Sequence, residues 1–122
     1  QVFGSIGEMR YAYRSDDPDR HYTLDELNEL GDFDAVSGIA APSRFFDGLI
    51  QAGLSIQPHA FSDHHQFNTS DLAGLKQVIT TEKDAVKLVH LLPEPFWVVA
   101  LDCRQPEFEA WLIDRLKKWS RV

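Results

Sequence analysis

Phe33-Asp34-Ala35-Val36-Ser37-Gly38-Ile39-Ala40 decides the fold, because of what stands on either side of it. The run is a strand that passes into a loop of small residues. Pro42-Ser43 then opens a helix through Arg44-Phe45-Phe46-Asp47-Gly48-Leu49-Ile50-Gln51-Ala52. Phe45, Phe46, Leu49 and Ile50 form its apolar face, and Gly53 closes it. Strand, loop and helix in that order are half of a βαβ unit. Leu54-Ser55-Ile56-Gln57-Pro58-His59-Ala60-Phe61 supplies the next strand. Its Pro58 predicts an edge position, since proline cannot donate to a sheet ladder.

The pattern continues toward the C-terminus. Thr69 or Ser70 caps a short helix through Leu72 and Leu75, and Gln77-Val78-Ile79-Thr80-Thr81 is a short central strand. Thr81 caps the following helix, with Asp84 in the third position, and Pro93 and Pro95 stop it. Phe96-Trp97-Val98-Val99-Ala100-Leu101 is continuously apolar, as a strand covered on both faces requires. A last helix starts near Pro106 and carries Phe108, Trp111, Leu112, Arg115, Leu116 and Trp119 at helical spacing. Trp111 and Trp119 are assigned to the core.

Toward the N-terminus, Thr23-Leu24-Asp25-Glu26 reads as a capping box, followed by Leu27 and Leu30 on the same face as Leu24 and by Gly31 as the stop. Residues 15–20 read as a polar loop, with His21 beside it. Residues 1–14 read as one or two extended segments broken at Gly4 and Gly7, with Met9, Tyr11 and Tyr13 on one side. The expected architecture is α/β: a small three-layer Rossmann-like domain with a mainly parallel sheet of about four to five strands. Residues 1–122 form a single domain, and residues 1–20 are an inter-domain linker or an edge-strand segment. The loops at Gly38, at Ser62-Asp63-His64-His65 and at Thr81-Glu82-Lys83 are all expected at the carboxyl edge of the sheet, where such folds bind ligands.

A length of 122 residues allows one compact domain with its own core. A net charge of −7 argues against nucleic acid as a partner and offers no general attraction to an anionic membrane. The single cysteine, Cys103, cannot form an internal disulfide, which fits an intracellular setting. No apolar run approaches the roughly 18–20 residues of a membrane span, and none reads as a signal peptide. Gln1 stands where a Met would begin a complete chain, so a piece of a longer polypeptide is expected.

Two stretches concentrate chemistry. In Asp63-His64-His65 a carboxylate beside an imidazole can orient it and stabilise its charge, giving a base near neutral pH. The alternatives are a structural or solvated loop and a metal site. A metal would need further ligands, and neither His59 nor His90 stands at a standard ligand spacing. The triplet also matches the phosphoesterases named for it, but their upstream Asp-x-Asp pattern is missing. Thr81-Glu82-Lys83-Asp84 is first a helix start with a solvated charged turn. Its other reading is an anion site at the helix N-terminus, with Lys83 or Lys87 adding charge. Neither a G-x-x-x-x-G-K-[ST] nor a G-x-G-x-x-G motif is present.

Three patterns in order carry a family resemblance: Val36-Ser37-Gly38-Ile39-Ala40-Ala41-Pro42-Ser43-Arg44-Phe45-Phe46, then Phe61-Ser62-Asp63-His64-His65-Gln66-Phe67, then Thr80-Thr81-Glu82-Lys83-Asp84-Ala85-Val86-Lys87. Together they resemble the C-terminal domain of the tetraacyldisaccharide 4′-kinases, the lipid A kinases of Gram-negative bacteria. Ala40 and Ala41 depart from that family's glycine and the residue after it, and Ser62 replaces its proline.

The resemblance implies a phosphotransferase that uses ATP and Mg²⁺ to phosphorylate the 4′-hydroxyl of the tetraacyldisaccharide 1-phosphate precursor of lipid A. It implies two α/β domains, peripheral at the cytoplasmic face of the inner membrane. The N-terminal domain would hold the P-loop, the Mg²⁺ and the membrane contact, and this chain would be the lid. It also implies catalytic roles for His64, with Asp63 orienting it and His65 as the second candidate. Thr81 and Lys83 would contact the nucleotide, and no residue of this chain would hold metal. The fragment by itself is expected to be inactive. The competing expectation is a non-catalytic α/β binding or structural module.

Overall fold

The computed structural model describes residues 9–38, 42–62, 65–101 and 106–120, and of residues 9, 10, 42, 101, 106–109, 119 and 120 the backbone only. Its strands are β1 (Met9–Arg14), β2 (Asp17–Tyr22), β3 (Asp32–Ser37), β4 (Ser55–Ala60), β5 (Val78–Thr81) and β6 (Trp97–Leu101). Its α-helices are α1 (Leu24–Leu27), α2 (Pro42–Gln51), α3 (Glu82–Leu88) and α4 (Pro106–Ser120). The strands form one sheet in the order β2-β1-β6-β5-β3-β4. β4, β3, β5 and β6 run parallel, and β1 joins β6 and β2 antiparallel.

Period-two alternation sorts the strand residues onto two apolar faces. Ala12, Phe33, Ala35, Ile79, Trp97 and Val99 pack with Leu27, Phe45, Phe46 and Leu49, so α1 and α2 cover one face. Tyr13, Val36, Val78 and Val98 pack with Ala85, Leu88, Leu112 and Leu116, so α3 and α4 cover the other. Three layers result, in the doubly wound manner the sequence predicts.

Among the described residues the sheet has six strands, not four to five. The extra strand comes from residues read as a polar loop. Among the described residues Asp17–Tyr22 is an edge strand, bonded on one side only, and such a strand can stay polar. The turn before it is not solvated throughout. Ser15 is buried, its N–H donates to the Phe96 carbonyl at 2.8 Å, and its hydroxyl accepts from the Phe96 N–H at 3.0 Å. His21 stacks on Tyr11 with ring centroids 3.8 Å apart.

The capping box forms as expected: Glu26 N–H donates to Thr23 Oγ1, and Thr23 N–H to Glu26 Oε1. The helix it starts is short and tightens into a 3₁₀ turn at Asn28–Leu30. Leu27 is buried, but Leu30 is exposed. Ile50 likewise leaves the apolar face of α2, and Trp111 that of α4. The cap before Leu72 is Asn68, not Thr69 or Ser70. β4 is the edge strand that Pro58 predicts, with β3 as its one neighbour. Phe108, Trp119 and Cys103 lie outside the described side chains.

Candidate functional site

β3 and β5 are parallel neighbours whose following helices depart to opposite faces of the sheet. A crevice is expected outside their carboxyl ends, at this topological switch point. The described residues of the three loops singled out in the sequence meet there, while residues 39–41, 63 and 64 lie outside the described residues. Ser37 ends β3, and its carbonyl accepts from the Phe61 N–H at 2.8 Å, which draws the segment after β4 against it. Gly38 follows. A Cβ on Gly38 would lie 3.4 Å from Phe67 Cζ, 3.4 Å from Asp84 Oδ1 and 3.5 Å from the Ser62 carbonyl oxygen. Gly38 therefore sits between the loop after β4 and the first turn of α3, where a side chain would fill the remaining space.

The crevice is bridged from within. Asp84, only 1% exposed, accepts from the Gly38 N–H at 3.0 Å. The same carboxylate oxygen accepts from the Thr81 hydroxyl at 3.1 Å. Thr81 Oγ1 in turn accepts from the Asp84 N–H at 3.2 Å, the N-cap bond of α3. Asp84 thus joins the ends of β3 and β5 through the Thr81 hydroxyl and the Gly38 N–H, in place of the cap residue's own backbone N–H that a capping box would use. Glu82 is buried too, and accepts from the Tyr13 hydroxyl at 2.7 Å. The first turn of α3 is not a solvated charged turn: two of its acids face inward, and Lys83 alone of Glu82, Lys83 and Asp84 is exposed.

Asp63 and His64 lie outside the described residues. Their neighbour His65 is committed to the protein's own structure. Its N–H donates to the Ser62 carbonyl at 3.0 Å. Its ring stacks on Phe61 and meets Phe67 edge-on, with centroids 5.0 Å away in each case. Its Nε2 lies 2.9 Å from Asp71 Oδ2. Asp71 also completes a capping box with Asn68. The His65 hydrogen bond, with the Asn68 N–H, holds the Asp71 carboxyl below its ordinary range.

His59 sits elsewhere, at part-buried Asp34, with Nε2 and Oδ1 3.0 Å apart. Partial burial works to raise Asp34, but the Lys76 N–H and His59 outweigh it and leave the carboxyl lowered.

No three His, Cys, Asp or Glu side chains among the described residues are grouped to hold a metal ion. Among the described residues, the acids in the first turn of α3, Glu82 and Asp84, are occupied by Tyr13 and by Gly38 and Thr81. The described residues therefore do not fit Mg²⁺. A cavity of about 570 Å³ lies far from these loops, between the end of α3 and the β1–β2 turn, with Ser15, Val89, Leu92 and Phe96 in its wall.

Sequence reasoning missed the Asp84–Gly38 bridge and the His65–Asp71 pair. The Thr-x-x-Asp and Asn-x-x-Asp spacings were signals for both, since an acid three residues past a cap is held close to the chain. The second partner of Asp84 comes from just past the end of β3, 46 positions away, and that of Asp71 is a loop histidine six positions before it, so neither is named by the cap spacing.

Fold and site together define a small doubly wound α/β domain with Ser62, the residue before the Asp-His-His triplet, beside its switch point. A family model described as tetraacyldisaccharide-1-P 4′-kinase matches residues 7–117. The chain belongs to the tetraacyldisaccharide 4′-kinase family. It is 42% identical over 89 residues to the tetraacyldisaccharide 4′-kinase of Nitrosococcus oceani, covering 70% of this chain and 26% of that protein. It is 38% identical over 90 residues to that of Pseudomonas putida, covering 71% and 27%, and 46% identical over 76 residues to that of Alcanivorax borkumensis, covering 60% and 23%. The chain thus spans about a quarter of the length of the curated relatives it matches. No solved structure matches it.

Proposed function

We propose that this chain is the C-terminal lid of an ATP-dependent kinase that phosphorylates the 4′-hydroxyl of a tetraacylated disaccharide 1-phosphate, the lipid A precursor. The reading rests chiefly on one observation: Gly38, Ser62 and the Thr81–Asp84 turn, described parts of the three family motifs, meet at one edge of the sheet. ATP and Mg²⁺ belong mainly to an N-terminal P-loop domain of the same polypeptide. So does contact with the cytoplasmic face of the inner membrane, in keeping with the lack of a long apolar helix among the described residues.

The chain's own contribution is an imidazole delivered by a loop. Phosphoryl transfer needs positioning and charge placement more than covalent chemistry, and a lid that closes on bound substrates supplies both. His64 is the catalytic histidine in this reading, with Asp63 orienting it. His65, stacked on Phe61 and bonded to Asp71, is the weaker candidate because its ring already braces the loop. Lys83 is exposed beside the crevice and can meet phosphate oxygens, while Thr81 shapes the turn that presents it. These are the chain's nucleotide contacts.

The test is steady-state turnover by the whole kinase. His64→Ala should lower kcat by about a hundredfold or more, the scale of a lost general acid–base group, with the unfolding midpoint unchanged. The 122-residue chain alone should release no phosphate from Mg-ATP. Wild-type turnover by His64→Ala removes the histidine from the mechanism.

A further inference from the structure

We infer that Asp84 is a positioning residue for the reaction, acting through Gly38 on the loop that follows β4. The inference rests on the functional reading above and adds a residue to it. A helix N-terminus ordinarily draws an anion. Here the anion at the switch point is the chain's own buried carboxylate, and its partners come from two different strand ends. Asp84 Oδ2 takes the Thr81 hydroxyl at the end of β5 and the Gly38 N–H just past the end of β3. Gly38 is the surface beside which the next loop runs, because a Cβ placed on it would already be in van der Waals contact with Phe67 and with the Ser62 carbonyl. Phe67 in turn packs on Phe61 at 4.9 Å and on His65 at 5.0 Å. One carboxylate thus sets the height of the shelf that supports the described ends of the Asp-His-His loop.

Stability alone does not require this arrangement. Burying a carboxylate is costly unless it is fully bonded, and an apolar contact at the same place would close the core as well. What the carboxylate adds is a fixed distance between the ends of β3 and β5. A displacement of about 1 Å at a reacting group can cost roughly a hundredfold in rate. The shelf is therefore expected to act on turnover more than on substrate affinity.

The experiment uses the whole kinase with Asp84→Ala, Asp84→Asn and His64→Ala, and the double variant of His64→Ala with Asp84→Ala. Asp84→Ala should lower kcat roughly tenfold to a hundredfold, with the KM for ATP within about twofold of wild type. Asp84→Asn keeps an acceptor for the Gly38 N–H and should recover most of kcat. In single-turnover measurements the double variant should be no slower than His64→Ala, because Asp84 acts through that loop. Should Asp84→Ala fail to fold, Asp84→Ser takes its place, being too short to reach Gly38. Normal kcat in Asp84→Ala, or losses that multiply in the double variant, overturn the inference. If His64→Ala itself turns over normally, the functional reading falls first and this inference falls with it. If His64→Ala is slow while Asp84→Ala is normal, only the role of Asp84 is lost.

Discussion

At the residue scale, the charged side chains with the most structure around them are those that look most solvated in the sequence. Asp84, Glu82 and Asp71 all stand at or near helix starts, where acids are common for local reasons. Each has a partner the local pattern cannot name: Gly38 for Asp84, Tyr13 for Glu82, His65 for Asp71. Asp34 has two, His59 and the Lys76 N–H. Because the folded protein holds the Asp34 and Asp71 carboxyls below the ordinary aspartate value, the unfolded chain binds protons more readily. Their contribution is therefore fully present above that value and is lost as pH falls through the lowered folded values. Urea unfolding between about pH 5 and pH 3 should show the midpoint falling on the acid side, less steeply in Asp34→Asn. An identical acid slope in Asp34→Asn would mean that the bonds from the Lys76 N–H and His59 to the Asp34 carboxylate contribute nothing to it.

At the element scale, helical spacing assigns the buried stripe of α4 in part. Leu112 and Leu116 are buried, as the pattern predicts. Trp111 is 45% exposed, with the Arg115 guanidinium 5.2 Å from its ring centroid. The helix presents only a narrow face to Tyr13, Phe96 and Val98, and a residue one position off that face turns outward however apolar it is. Ile50 of α2 follows the same rule one position after buried Leu49. Leu112→Ala should cost about 2–4 kcal/mol of unfolding free energy, the usual range for a buried leucine. Trp111→Ala should cost no more than about 1 kcal/mol, since a half-exposed ring leaves little cavity. Denaturant titration of the two variants checks the order, and a larger loss for Trp111 would contradict the placement of α4.

At the scale of the whole molecule, the antiparallel hairpin and the parallel layer are tied together by polar side chains as well as by the sheet. Ser15 secures the β1–β2 turn to the start of β6 through Phe96. Tyr13, on β1, donates to Glu82 in the first turn of α3 beside the crevice. Tyr13→Phe keeps the ring and removes the donor to a buried carboxylate. It should lower stability by about 1–3 kcal/mol, read by denaturant unfolding. Loss of stability without loss of secondary structure by circular dichroism is the expected pair of results, and unchanged stability would show that Glu82 is satisfied without the Tyr13 hydroxyl.

The sequence by itself determined the order of strands and helices from β3 onward, the edge position of β4 and the covered run of β6. Periodicity, proline and cap residues act over a few positions and can be read along the chain. Its three motifs also placed the chain in its family. Only the tertiary structure decided that a polar run is the outermost strand β2, that Trp111 and Ile50 face outward, and that Asp84 joins two strand ends through Gly38. Each of these depends on which neighbour arrives from far along the chain. Asp84 and Gly38 are 46 positions apart, and Tyr13 and Glu82 are 69 apart. No local pattern encodes such pairs, because burial and hydrogen bonding are settled only when the sheet brings them together.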